Sequence, residues 1–84
     1  DNYSEEENNI IAQANAITKE WWNAVLEWNK TEKLLSQIEK IAVSNYIKKM
    51  DDGRFIKKIN NAEKVIAIKN KVEHLGFSMN DINA

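Results

Sequence analysis

The first third of the chain carries apolar side chains at the spacing of a packed helix. Between residues 10 and 28 the intervals alternate between four and three, which places every member on one side of an α-helix. The members of this series are Ile10, Ala14, Ile17, Trp21, Ala24 and Trp28. Ser4 followed by Glu7 forms a capping-box signature at the start. The pattern predicts a tryptophan-rich helix over about residues 4–29.

Trp22 lies one position beside this series. Large apolar side chains prefer the interior, so the first interpretation is that all three tryptophans belong to the core. The position of Trp22 also allows an exposed rim, and tryptophan is the residue most enriched at binding hot spots. Trp22 is therefore a candidate partner-binding residue, with a core position as the alternative.

Two interpretations remain open for the end of the first helix. Asn29 followed by Glu32 can start a new helix, which favours a break near residues 29–31. The apolar series also continues through Trp28, Thr31, Leu35, Ile38 and Ala42. In that alternative one helix runs from residue 4 to about 50, and the chain is a long helical hairpin that pairs with a second copy.

Two glycines mark the stops in the remainder of the chain. A second helix over about 32–51 ends at Asp51-Asp52-Gly53, where Gly53 can take a positive φ. A helical segment over about 54–75 follows, bent or split near 61–64, and Gly76-Phe77 ends it in a Schellman motif. Residues 76–84 form a tail. The chain is thus predicted to be one all-α domain over 1–84, a small three-helix bundle.

The composition argues against catalysis. The chain has one histidine and no cysteine, and it has no glycine-rich phosphate loop or metal-ligand spacing. We therefore expect a protein that is not an enzyme, without cofactor or metal. Its net charge of −1 is unevenly distributed. Residues 1–32 hold seven acidic and two basic side chains, and residues 33–84 hold ten basic and six acidic ones.

The basic residues suggest one alternative function. They concentrate in segment 48–71, where one helix face can carry four of them to contact phosphates. These candidate nucleic-acid contacts are Arg54, Lys57, Lys58 and Lys64. Against this interpretation, the pI of the chain is about 5.8 and only one of its twelve basic residues is arginine, the residue that most often reads guanine.

Residues 55–65, with Ile68 following, resemble the second and third helices of the GA modules, the albumin-binding three-helix bundles of Gram-positive surface proteins. Leu35 to Met50 takes the place of the family's first helix, so the resemblance covers about residues 35–75. It implies serum albumin as the partner and a location at the cell surface; without it, we expect a cytoplasmic protein. It also implies a partner-binding face that includes Phe55, Ile56, Asn60, Asn61 and Ala62.

We therefore expect a non-enzymatic protein-interaction module that binds a protein partner through an apolar helix face. The alternatives are a small regulatory nucleic-acid-binding protein and a self-assembling helical hairpin that forms a homodimer. No apolar run is long enough to span a membrane.

Overall fold

The chain folds into helices, as a computed structural model that describes residues 3–79 shows. The helices of this part are α1 (Glu5–Ala16), α2 (Lys19–Glu32), α3 (Gln37–Asp51) and α4 (Ile59–His74). The predicted all-α class is confirmed, whereas the prediction of three helices is wrong because the described residues form four. Within residues 35–75 there are two helices, α3 and α4, where the resemblance to the GA modules implied three.

The predicted tryptophan-rich helix is divided at Ile17 and Thr18. Both residues have extended backbones, with ψ of 124° and 157°. The Thr18 hydroxyl accepts a hydrogen bond from the Trp21 N–H at 3.1 Å and so starts α2 as a new helix. The apolar spacing did not indicate this break, because Ile17 and Trp21 face the interior on either side of it. The start at Ser4 is confirmed, because Ser4 and Glu7 form a complete capping box.

The predicted break near residues 29–31 is wrong, since α2 continues to Glu32. Asn29 does not start a helix. Its side chain is buried, and its Oδ1 accepts the N–H groups of Leu34 at 2.8 Å and Leu35 at 2.9 Å. Lys33 then takes the left-handed conformation, with φ of 55°. This turn also rules out the long-helix hairpin, because the chain does not run as one helix to residue 50.

The helix stops at both glycines are confirmed. After α3, Gly53 has a φ of 73°, its N–H donates to the Met50 carbonyl, and the Arg54 N–H donates to the Lys49 carbonyl. After α4, Gly76 has a φ of 106° and the Phe77 N–H donates to the Val72 carbonyl at 2.9 Å. Each set of bonds is a Schellman motif. Residues 80–84 of the predicted tail lie outside the described residues.

Residues 54–58 are not helical, and α4 begins only at Ile59. The reason is a contact that is distant in sequence. The Asn15 side chain donates to the Ile56 carbonyl at 3.0 Å and accepts from the Ile56 N–H at 2.8 Å. These two bonds hold the buried residue Ile56 against α1 in place of helical bonds. From Ile59 to His74 α4 is one continuous helix, so the predicted split near 61–64 is absent.

The four helices pack as two pairs, α1 on α4 and α2 on α3. Aromatic contacts of α2 lie both within the α2–α3 pair, through Trp22, and between the two pairs, through Phe77. The Trp22 ring is fully buried and lies 5.9 Å from the Tyr46 ring of α3. Phe77, just beyond α4, contacts Trp21 at 5.0 Å and Trp28 at 5.6 Å between ring centroids. None of the helices within residues 3–79 is long and apolar enough to cross a membrane.

We expect Asn15→Ala to lower the free energy of unfolding by about 2 kcal/mol or more, because it leaves the N–H and the carbonyl of the buried Ile56 without partners. Urea unfolding followed by circular dichroism measures the change. Asn23→Ala is the matched control, since Asn23 is exposed on α2 and its loss is expected to change stability by less than about 0.5 kcal/mol. Equal effects of the two variants would contradict the role of the Asn15 bonds.

We expect Lys33→Gly to raise the free energy of unfolding by about 1 kcal/mol, because the left-handed conformation is costly for residues with a Cβ. Lys30→Gly, the same change inside α2, should instead lower it by about 0.5–1 kcal/mol. Thermal unfolding of both variants measures whether each change raises or lowers the stability. Destabilisation by Lys33→Gly would mean that the lysine side chain has a stabilising role of its own.

Candidate functional site

The outer face of α3 exposes three large aliphatic side chains. Ile38 is 80% exposed, Ile41 is 51% exposed, and Leu34 just before the helix is 41% exposed. Ile38 and Ile41 lie one turn apart on α3, as on a helix side that packs on another helix, while Leu34 lies in the turn before the helix. Isolated exposed apolar residues are normal on protein surfaces, but a row at helical spacing indicates an interaction surface. We call Leu34, Ile38 and Ile41 the α3 stripe.

Local structure orients the α3 stripe away from the core. Ser36 and Glu39 form a capping box that starts α3. Val43, two residues after Ile41, is fully buried. Side chains two positions apart in an α-helix point in directions that differ by about 200°. Ile41 therefore faces solvent directly. The sequence held a signal for this surface, because segment 32–50 has more apolar positions than one helix face can bury: Leu34, Leu35, Ile38, Ile41, Ala42, Ile47 and Met50.

An ion pair ties the first turn of α3 to α4 beside this stripe. Lys71 Nζ lies 2.7 Å from Glu39 Oε1, and the same oxygen accepts the Ser36 N–H at 2.8 Å. Partial burial raises the pKa of Glu39, but the hydrogen bonds from Lys71 and Ser36 outweigh it, so the pKa lies below its ordinary value of 4.5. The charged carboxylate thus helps to hold the α3 stripe in place relative to α4.

Three predicted partner-binding residues are not on the surface. Trp22 and Ala62 are fully buried, and Ile56 is 5% exposed. The expectation that Trp22 lies at an exposed rim is therefore corrected: the Trp22 side chain is core, packed against Trp21 and Tyr46. Ile56 and Ala62 likewise face the core and cannot contact a partner in this fold. Of the remaining predicted residues, Phe55 and Asn60 are exposed and Asn61 is half-buried.

A second surface is formed by the end of α3 and the non-helical residues between α3 and α4. Three of the predicted nucleic-acid contacts come together there, together with Lys49, which the sequence analysis did not select. They line an open concavity of about 520 Å³ with Phe55. We call Lys49, Arg54, Phe55, Lys57 and Lys58 the basic loop cluster. The fourth predicted contact, Lys64, is exposed on α4 and does not line this concavity.

A third concavity, of about 510 Å³, lies between the α1–α2 junction and α4. Trp21 forms one wall, and Lys69 Nζ lies 6.0 Å from the centroid of its ring. Lys69 also pairs with Glu73 at 2.9 Å. Because this cation already has an acidic partner, the concavity offers less to a charged ligand than the basic loop cluster does.

In comparisons with protein-family models, curated proteins and solved structures, no match was found. The resemblance to the GA modules therefore stays a prediction, and geometry carries the functional argument.

We expect the free energy of unfolding of Glu39→Gln to fall less steeply than that of the natural chain as the pH is lowered. A group whose pKa is lowered by folding stabilises the folded state above its unfolded-state pKa, and this contribution disappears as the pH falls through the folded-state pKa. The affected range therefore lies below the ordinary value of 4.5. Urea unfolding at a series of pH values measures it. Glu63→Gln, at an exposed position of α4, is the control, and the same reduced steepness there would contradict the assignment to the Glu39 ion pair.

Proposed function

We propose that this protein is a non-enzymatic protein-interaction module that binds a partner protein through the α3 stripe. The observation that carries the proposal is the 80% exposure of Ile38 in line with Ile41. The fold does not need these side chains, because Val43 on the other side of α3 already supplies the core contact. Full burial of an isoleucine contributes about 1.5–3 kcal/mol, so a partner that covers both isoleucines gains substantial binding energy.

The shape of the α3 stripe favours a helix as the partner element. Side chains one helical turn apart, such as Ile38 and Ile41, interdigitate with the side chains of a second helix. Three side chains alone are too few for a standard interface of about 800 Å² per partner. The flanks of α3 must therefore contribute as well. There the exposed Lys33 and Lys48 and the half-buried Lys40 favour a partner with an acidic rim.

Lys40 also borders an apolar groove between α2 and the turn that precedes α3. The groove has a volume of about 470 Å³ and is lined by Leu26 and Leu35 together with Lys30 and Lys33. An apolar floor with a basic rim suits an amphipathic segment with acidic residues at its edge. Serum albumin, which the resemblance to the GA modules implies, and a second copy of this chain are two specific candidates.

Photo-crosslinking from the α3 stripe tests the proposal. A photoreactive phenylalanine analogue placed at Ile38 or Ile41 in the full-length protein is expected to capture a protein, either in the source cells or from a mixture with albumin. The same analogue at the exposed positions Asn23 and Glu63 is the control. A product of twice the chain mass would identify a second copy as the partner. Products that do not differ between stripe and control positions would overturn the proposal.

We expect the double variant Ile38→Lys/Ile41→Lys to keep the stability of the fold within about 0.5 kcal/mol, because both side chains are exposed. Binding of the captured partner should weaken at least about tenfold, because desolvating two lysines replaces burial of two isoleucines. Calorimetry with the purified partner measures the affinity. Ile38→Val/Ile41→Val is the conservative control and should bind nearly as well as the natural chain.

A further inference from the structure

The basic loop cluster holds an aromatic ring in solvent on an anchored backbone. Phe55 is 68% exposed, while its neighbour Ile56 is 5% exposed. The two bonds from Asn15 hold Ile56 against α1, and the ring of Phe55, the residue before it, lies in solvent. On the other side, the Schellman bonds of Gly53 and Arg54 fix the end of α3. The backbone is therefore fixed by hydrogen bonds both before and after Phe55, and this keeps its ring exposed.

Four cations surround this ring. Lys49, Arg54, Lys57 and Lys58 line the same concavity as Phe55. The ion pairs found within residues 3–79 are formed by Lys19, Lys30, Lys69 and Lys71, so the four cations of the cluster have no acidic partner there. Like charges held close together repel one another. Binding of a polyanion relieves this repulsion and therefore lowers the electrostatic energy of the cluster.

The start of α4 adds positive potential to the same place. Helices α1, α2 and α3 begin at Ser4, Thr18 and Ser36, whose side chains cap the helix. α4 is preceded by Lys58, whose side chain does not cap the helix, and it has no acidic residue in its first turn. The positive end of its dipole therefore reinforces the cations instead of being offset by a carboxylate.

We propose that the basic loop cluster binds single-stranded nucleic acid, with phosphates on Lys49, Arg54, Lys57 and Lys58 and a base stacked on Phe55. An exposed aromatic ring in a positively charged groove is the combination that such strands require. A duplex offers no free base face to the ring, whereas an unpaired base stacks on it. This site is separate in its residues from the α3 stripe, so it goes beyond the proposed function.

The test measures binding of the full chain to fluorescent thymidine and uridine dodecamers by anisotropy. Four phosphate contacts predict a slope of about −3 in the logarithmic salt dependence, or about 50-fold weaker binding between about 50 and about 200 mM salt. Preference for one dodecamer tells whether DNA or RNA is the ligand. Absence of binding to both at low salt would overturn the proposal.

Two variants separate the contributions of charge and stacking. Lys57→Glu/Lys58→Glu should lower the salt slope to about half, while Lys30→Glu/Lys33→Glu, with the same change in net charge at other positions, should largely retain it. Phe55→Ala should weaken binding about 5-fold or more, and Phe55→Trp should restore it. Circular dichroism verifies that each variant folds. An unchanged affinity of Phe55→Ala would overturn the stacking contact and with it the proposal.

Two further probes separate nucleic acid from other polyanions. Inorganic polyphosphate carries the charge without bases, so it should bind more weakly than the dodecamers and respond little to Phe55→Ala. Vesicles of phosphatidylserine and phosphatidylcholine test a membrane surface, where a phenylalanine flanked by lysines also inserts. Phe55-dependent binding to vesicles without binding to either dodecamer would assign the cluster to lipid and overturn the proposal.

Discussion

The aromatic contacts of α2 hold the helices together, within the α2–α3 pair through Trp22 and between the two pairs through Phe77. Trp22 is fully buried and reaches α3 through Tyr46, while Trp21 and Trp28 enclose Phe77 just beyond α4. Aromatic side chains each bury about 150–250 Å², so this group outweighs the smaller valines of the core. The Trp22 indole N–H has no hydrogen-bond partner among the described residues. A buried donor without a partner is costly, which indicates that packing volume, rather than polarity, selects tryptophan at this position.

Two asparagine side chains fix the connections between helices through hydrogen bonds to the backbone. Asn29 accepts two backbone N–H groups after α2, and Asn15 forms two bonds with Ile56 before α4. Each amide satisfies backbone groups that no helix or strand satisfies. Because these bonds fix the connections, the surfaces beside them are presented in defined orientations. The α3 stripe follows the Asn29 turn, and Phe55 lies next to the residue that Asn15 holds.

The two candidate surfaces differ in chemistry and are formed by different residues. The α3 stripe is aliphatic with lysines on its flanks, which suits a protein partner with an acidic rim. The basic loop cluster combines unpaired cations with one exposed ring, which suits phosphates and bases. Both surfaces consist of residues that the core does not use. For that reason substitutions there can separate binding from folding, which substitutions of Trp22 or Val43 cannot do.

The sequence by itself determined the helical class and three helix ends, at Ser4, Gly53 and Gly76. These are local features, since a capping box or a Schellman motif involves residues within one or two turns of each other. Tertiary structure decided the rest. The bonds between Asn15 and Ile56 join residues 41 positions apart, so no local pattern predicted the non-helical segment before α4. Likewise, α3 has apolar residues on more than one side, and only packing against α2 determined that Val43 is buried while Ile38 and Ile41 face solvent.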